Sequence, residues 1–181
     1  MTSPRPFSNL PDVPAFGLTS RSFQDGETLP PPQRSGRMHA GGADESPQLS
    51  WSGAPDGTRS YAVTVFDPDA PGAGGFWHWA VLNIPADTTS LAEGAGAEGG
   101  PQLPAGAVQL KNDGGFRGYL GAAPPPGHGR HRYIFTVYAL DVEALDVEQL
   151  PGGAGARPAA LGSELARHLL GTATLTGIYQ R

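Results

Sequence analysis

The sequence contains no cysteine, which excludes disulfides, thiolate chemistry and cysteine-ligated metals. It has one lysine, Lys111, no cluster of basic residues and a formal net charge of -5. Nucleic-acid binding depends on a basic stripe, so no nucleic-acid partner is expected. No apolar run exceeds the length of a strand, so no stable membrane insertion is expected either. The opening MTSPRPFSNLPDVPAF has one early arginine and no apolar core, and does not read as a secretory signal. Together these absences make a soluble cytoplasmic protein the expectation.

What is present points to one folded domain. A chain of 181 residues is long enough to bury a core. Its 27 glycines and 19 prolines, about a quarter of the residues, lie between strong apolar runs and so indicate turn-rich connections in a folded chain. Residues 1–14, with prolines at 4, 6, 11 and 14, read as a loose N-terminal arm, and 15–181 as the domain. Short extended pieces are expected in FGLTSRSFQDGETLPPP and in SPQLSWS. Three stronger strands follow: YAVTVF (61–66), FWHWAVLNI (76–84) and RYIFTVYAL (132–140). Their β-branched and aromatic content and short length favour strand over helix, and apolar residues on both faces suit central strands covered on both sides. The stretch 85–131, rich in Gly, Pro and Ala, is long enough to suggest a functional loop. Leucines at 161, 165 and 169 predict one amphipathic helix within ARPAALGSELARHLL, and TLTGIYQR predicts a closing strand. The order is mainly β with a late helix and no βαβ alternation, so an antiparallel arrangement is expected.

Strand alternation suggests where chemistry could gather. Tyr61, Val63, Val65 and Asp67 share one face; Phe76, His78, Ala80 and Leu82 share another; His131, Tyr133, Phe135 and Val137 a third. The remaining positions of the second strand, Trp77, Trp79 and Val81, fall opposite. If the strands are neighbours, Asp67, His78, His131 and Tyr133 converge at one edge of the sheet. Two imidazoles and a phenol donate hydrogen bonds, and an aspartate fixes tautomers and favours the charged imidazole. Such a hole suits phosphate or carboxylate. The glycines at 114, 115, 118 and 121 would let backbone amides approach the anion.

Each element also has a plain reading. DPDAP (67–71) is a good turn, a histidine in an aromatic strand can be a hydrogen-bonded core residue, and HRY after PPPGHG can be an ordinary strand start. Gly94-Ala95-Gly96-Ala97-Glu98-Gly99 has the G-x-G-x-x-G pattern, but GPQLPAG follows and breaks the helix that a dinucleotide site needs, so no cofactor is expected. No H-x-H or H-E-x-x-H spacing supports a metal. There is no G-x-S-x-G, and Asp67 with Asp69 is a weak acid–base pair.

Taken in order, SPQLSW, DPDAP, FWHWAVLNIPA, KNDGGFRGYLGAAPPPGHGRHRYIFTVYAL and GIYQR resemble the phosphatidylethanolamine-binding protein family, in its bacterial Raf-kinase-inhibitor-like branch. The resemblance runs from about residue 16 to the end. It implies a β-sandwich, Greek-key-like, with a large antiparallel sheet packed on a smaller one and a C-terminal helix. It also implies a pocket for phosphate or phosphoryl head groups formed by Asp67, Asp69, Pro71, His78, Gly121, His131 and Tyr133. Two departures stand out. Tyr119-Leu120-Gly121-Ala122-Ala123 replaces the usual Gly-Gly-Pro-like step, and Asp44 stands where Asn is common. The reading is therefore a non-enzymatic module for a small anionic ligand. The alternatives are a hydrolase using the same pocket, or a protease or kinase inhibitor acting through 85–131. An exposed strand edge would allow a homodimer.

Overall fold

The computed structural model describes residues 5–181. Its strands are β1 (Gly17–Thr19), β2 (Leu49–Ser52), β3 (Ser60–Asp67), β4 (Phe76–Pro85), β5 (Ser90–Leu91), β6 (Val108–Gln109), β7 (His131–Leu140) and β8 (Leu169–Tyr179), with one short α-helix, α1 (Gly162–His168). They form a three-stranded sheet, β1-β2-β5, and a five-stranded sheet, β6-β4-β3-β7-β8. Neighbouring strands in both sheets pair antiparallel. The three apolar runs of the sequence are β3, β4 and β7, side by side at the centre of the larger sheet.

Both faces of that sheet are buried, which is why these runs are apolar almost without interruption. One core lies between the sheets, where Leu18, Leu49, Trp51 and Leu91 of the small sheet meet Val63, Val65, Trp79, Val81, Phe135 and Val137 of the large one. The second core lies on the outer face, where Ala62, Phe66, Trp77, Ala80, Leu82 and Tyr138 are covered by Leu145, Leu150, Leu161 and Leu165. Phe7 joins this second core, its ring 5.0 Å from that of Trp77. Leu10 and Val13 pack against the same core and the Pro14 carbonyl accepts from the Thr172 amide at 3.1 Å, so the N-terminal segment is held at several points inside the stretch that composition marks as loose.

The late helix is shorter than the leucine spacing predicts. A 3₁₀ turn covers Pro158–Leu161 and α1 only Gly162–His168, while Leu169 already pairs with Leu140 as the start of β8. The long ladder of β8 on β7 outcompetes a further helical turn, and the closing strand runs five residues further toward the N-terminus than TLTGIYQR suggests. Among the described residues no helix is long and apolar enough to cross a membrane.

The stretch 85–131 is irregular but ordered by its own hydrogen bonds. It lies along β4: Leu110 N–H donates to the Ala80 carbonyl at 3.0 Å and Leu120 N–H to the His78 carbonyl at 3.0 Å. Asn112, fully buried, ties its turn together through the Gly118 carbonyl and the Gly114 amide, both at 2.9 Å. The Trp79 indole donates to Gln109 at 2.7 Å. The loop therefore forms one wall of whatever site the strand ends build.

Candidate functional site

Four polar side chains meet where β3 ends and β7 begins. Asp67, His78, His131 and Tyr133 are 2, 5, 1 and 1% exposed. Asp67 is the last residue of β3, and His131 and Tyr133 lie on the first turns of the β7 pleat, facing the core between the sheets.

His78 reaches the same side by a different route. Val65 pairs with Trp79 and the next residue, Phe66, pairs with Trp77, so His78 is an extra residue on β4. Such a bulge shifts the alternation of faces by one. Trp79 and Val81 accordingly pack in the core between the sheets, whereas Trp77, Ala80 and Leu82 pack in the outer one. The alternation expected from sequence, with Trp77 beside Trp79 and His78 beside Ala80 and Leu82, fails at this point. Without the bulge, a strand in this register would turn His78 toward the outer core, away from Asp67.

Hydrogen bonds fix the rings. Asp67 Oδ1 accepts from the Asp69 amide at 2.8 Å, and Oδ2 lies 2.7 Å from His131 Nδ1. A carboxylate can only accept, so His131 carries its proton at Nδ1. His131 Nε2 is 2.7 Å from Nδ1 of His128. His78 Nδ1 donates to the Leu120 carbonyl at 2.7 Å, and its ring meets that of Tyr133 edge-on at 5.2 Å. His78 Nε2 makes no hydrogen bond among the described residues. Burial holds the His78 pKa below the ordinary histidine value; the Leu120 carbonyl and the charges of Asp67 and Asp113 oppose this without overcoming it. At neutral pH His78 is therefore a neutral imidazole with a lone pair at Nε2. Burial also raises the Tyr133 phenol, and the Asp67 charge adds to it, so the hydroxyl keeps its proton and remains a donor.

Three residues that the resemblance implies for the pocket direct no polar side chain into this cluster. The Asp69 carboxylate is clasped by Arg132, accepting from its amide at 2.9 Å and from Nε and Nη2 at 2.8 Å each. Arg132 holds the Asp69 carboxyl below the usual range. Asp69 acts on the site through its backbone, whose N–H orients Asp67. Pro71 is exposed in the loop between β3 and β4. Gly121 lies close to the site, but its N–H donates to Asp44 Oδ1 at 2.8 Å. The amides of Gly114 and Gly115 are likewise committed, to Asn112 Oδ1 and to its carbonyl. The glycine loop thus offers few free amides to an anion.

Gly121 is glycine for lack of space. A Cβ there would stand 2.3 Å from the Arg34 carbonyl carbon and 2.5 Å from the Ser35 nitrogen. Asp44, noted in the sequence only as a departure, is what fastens this wall. Its other oxygen accepts from the Gly36 and Arg37 amides at 3.0 and 2.9 Å. Burial disfavours its charge, yet the amides of Arg37 and Gly121 and the Ser35 hydroxyl together hold its carboxyl below the usual range.

His128 is the site residue that sequence reasoning missed. Its only signal was the short spacing in HGRH (128–131), which resembles neither of the metal spacings sought. Two concavities lie elsewhere: one between residues 5–13 and the outer face of β7 and β8, the other beside Phe7 and Gly162. Neither is lined by Asp67, His78, His131 or Tyr133. The candidate site is a tight cluster, with Leu120 against His78 and His128 against His131.

Comparison with known proteins bears on this arrangement. Residues 19–180 match the family model described as phosphatidylethanolamine-binding protein. The chain is 44% identical to YbhB of Escherichia coli (strain K12) over 162 residues, covering 90% of this chain and 98% of YbhB. It is 43% identical to YbcL of the same organism over 166 residues, covering 92 and 88% of the two chains. The crystal structure of YbcL, described as a new member of the mammalian PEBP family, superposes with a TM-score of 0.85 over 92% of this chain and 98% of that one.

Proposed function

The chain belongs to the phosphatidylethanolamine-binding protein family, and from that premise we propose that it is a non-enzymatic binding protein. It takes one small anion, a phosphate or the phosphoryl end of a larger molecule, at Asp67, His78, His131 and Tyr133. The observation that carries this reading is His78 Nε2: a ring nitrogen of a residue only 5% exposed that makes no hydrogen bond among the described residues and is not itself sealed from solvent, beside a phenol that can donate. A ring nitrogen that opens at a cluster of imidazoles without a protein partner is available to a ligand, which supports one there. The cluster suits a small anion that carries a hydrogen of its own: the Tyr133 phenol can donate to it, and His78 Nε2 can accept from it.

The hydrogen-bond partners of the two rings argue against hydrolysis. Those partners are the Leu120 carbonyl, Asp67 and His128, and none is a seryl or threonyl hydroxyl that a histidine could activate.

The test is calorimetric titration of inorganic phosphate into the wild type, His78→Ala and Tyr133→Phe. Wild type is expected to bind, and His78→Ala to lose about tenfold or more in affinity, the worth of a hydrogen bond to a charged group, with its near-UV circular dichroism retained. Silence from the wild type, or equal affinity in His78→Ala, would sink the assignment. Turnover of a phosphate ester that disappears in His78→Ala would replace it with the hydrolase reading.

A further inference from the structure

His128 occupies the position from which a ligand would reach His131 Nε2. Asp67 holds Nδ1 of His131, which leaves Nε2 as that ring's one nitrogen for a ligand, and Nε2 already faces His128 Nδ1 at 2.7 Å. Two ring nitrogens at that distance share a single proton: with none, two lone pairs face each other, and with two, the hydrogens collide. An anion can accept from His131 Nε2 only where that ring keeps the shared proton as His128 leaves, so such an anion competes with an imidazole for one N–H.

The placement of His128 suits it to leave. His131 is 1% exposed, but His128 is exposed, in a turn flanked by Gly127 and Gly129, both with positive φ (76° and 95°). The turn is anchored by its backbone rather than by the ring: Gly127 N–H donates to the Arg181 carbonyl at 2.9 Å and His128 N–H to that of Pro125 at 3.1 Å. The ring packs edge-on against His131, with centroids 4.9 Å apart. It can rotate into solvent without breaking either anchor.

We propose that His128 is an intramolecular stand-in for the ligand. It satisfies His131 while the site is empty and is displaced when a phosphate or phosphoryl anion arrives. This rests on the binding function proposed above and adds a property to it: the site has a built-in competitor. A neutral acceptor only exchanges one hydrogen bond for another, whereas an anion gains a charge-assisted one. His128 thereby excludes weak neutral acceptors and sets a threshold for entry.

Inorganic phosphate, titrated calorimetrically into wild type and His128→Ala, tests this. Removing the competitor is expected to tighten binding about 3- to 10-fold, the worth of one neutral hydrogen bond. In wild type, phosphate should also move the ring ¹⁵N resonances of His128 to the positions of a solvent-exposed imidazole, which a purely structural role would not produce. Wild-type binding with unchanged or weaker affinity in His128→Ala, or with His128 resonances that stay put, overturns the stand-in alone. No binding to either protein overturns it together with the function on which it rests. His128→Gln retains an acceptor at this position and should bind with intermediate affinity; affinity equal to or tighter than that of His128→Ala also overturns the proposal.

Discussion

Stability should fall as pH drops below that of an ordinary histidine, and His78 should account for a measurable share of the fall. Its ring is 5% exposed, donates from Nδ1 to Leu120 and is packed between Phe76 and Tyr133, with ring centroids 4.8 and 5.2 Å away. Burial lowers its folded-state pKa, with the charges of Asp67, Asp113 and His131 acting on it as well. The unfolded chain therefore binds the proton at a pH where the folded chain does not. The resulting stability is complete above the unfolded value of about 6.5 and is lost as pH falls toward the folded value. If the folded ring stays neutral to pH 5.5, the loss between pH 7.5 and 5.5 is about 1.4 kcal/mol. Substituting His78→Phe keeps a ring between the same neighbours and removes the titration. It also strips the Leu120 carbonyl of its donor, at a pH-independent cost of about 1–3 kcal/mol. Urea unfolding of both proteins at pH 7.5, 6.5 and 5.5 separates these effects, because every other residue is common to both. The stability gap between wild type and His78→Phe should narrow by about 1.4 kcal/mol on going to pH 5.5. Parallel curves would mean that the ring gains its proton in the folded state as readily as in the unfolded one, and the account of a neutral His78 would be wrong.

Two further substitutions test the walls of the site. Gly121→Ala drives a methyl into the backbone of Arg34 and Ser35 and should cost about 3 kcal/mol by urea unfolding or prevent folding; a change under about 0.5 kcal/mol would show that the wall yields. Arg132→Ala releases the Asp69 carboxylate, a bidentate pair in which both side chains are part exposed, at 42 and 27%. It should cost about 1 kcal/mol, less at high salt, and leave phosphate affinity within about twofold, since a rim charge away from the ligand contributes little; a larger loss would bring Asp69 and Arg132 into the binding set.

How far the sequence could be read depended on which physical rule governed each residue. The central strands were legible because burial on both faces leaves apolar runs that turns and helices rarely match. Asp67, His131 and Tyr133 were legible because β3 and β7 pair in unbroken register, so alternation holds along both. His78 was placed on the right side for a reason that alternation does not contain. A one-residue bulge has no sequence signature in FWHWAV, and the face of every residue from Phe76 to Trp79 depends on it. The helix was overdrawn because leucine spacing records only that Leu161, Leu165 and Leu169 are buried, and a strand can bury the last of them as well. Gly121 was legible as necessary, though it serves close backbone packing rather than an approach to a ligand. His128 was the hardest to see, because an exposed histidine among glycines and prolines follows no periodicity and takes on meaning only opposite His131.

The arrangement of protons at this cluster bears on which anions it favours. A neutral His78 directs a lone pair, not a donor, toward the ligand, and the shared proton between His128 and His131 leaves no spare N–H on the second ring. An anion without a hydrogen of its own must wait for an imidazole to be protonated inside a buried site, against the desolvation that keeps His78 neutral. A phosphate monoester has a second pKa near 6, so at neutral pH an appreciable fraction carries a P–O–H group. On the proposed function, that hydroxyl would donate to His78 Nε2 while the charged oxygens accept from Tyr133 and, where His131 keeps the shared proton as His128 moves, from His131. A carboxylate at the same pH has no such hydrogen. On the binding function proposed above, discrimination between phosphoryl and carboxylate ligands would follow from the tautomer of one buried ring, which is set by the hydrogen bond from His78 Nδ1 to Leu120.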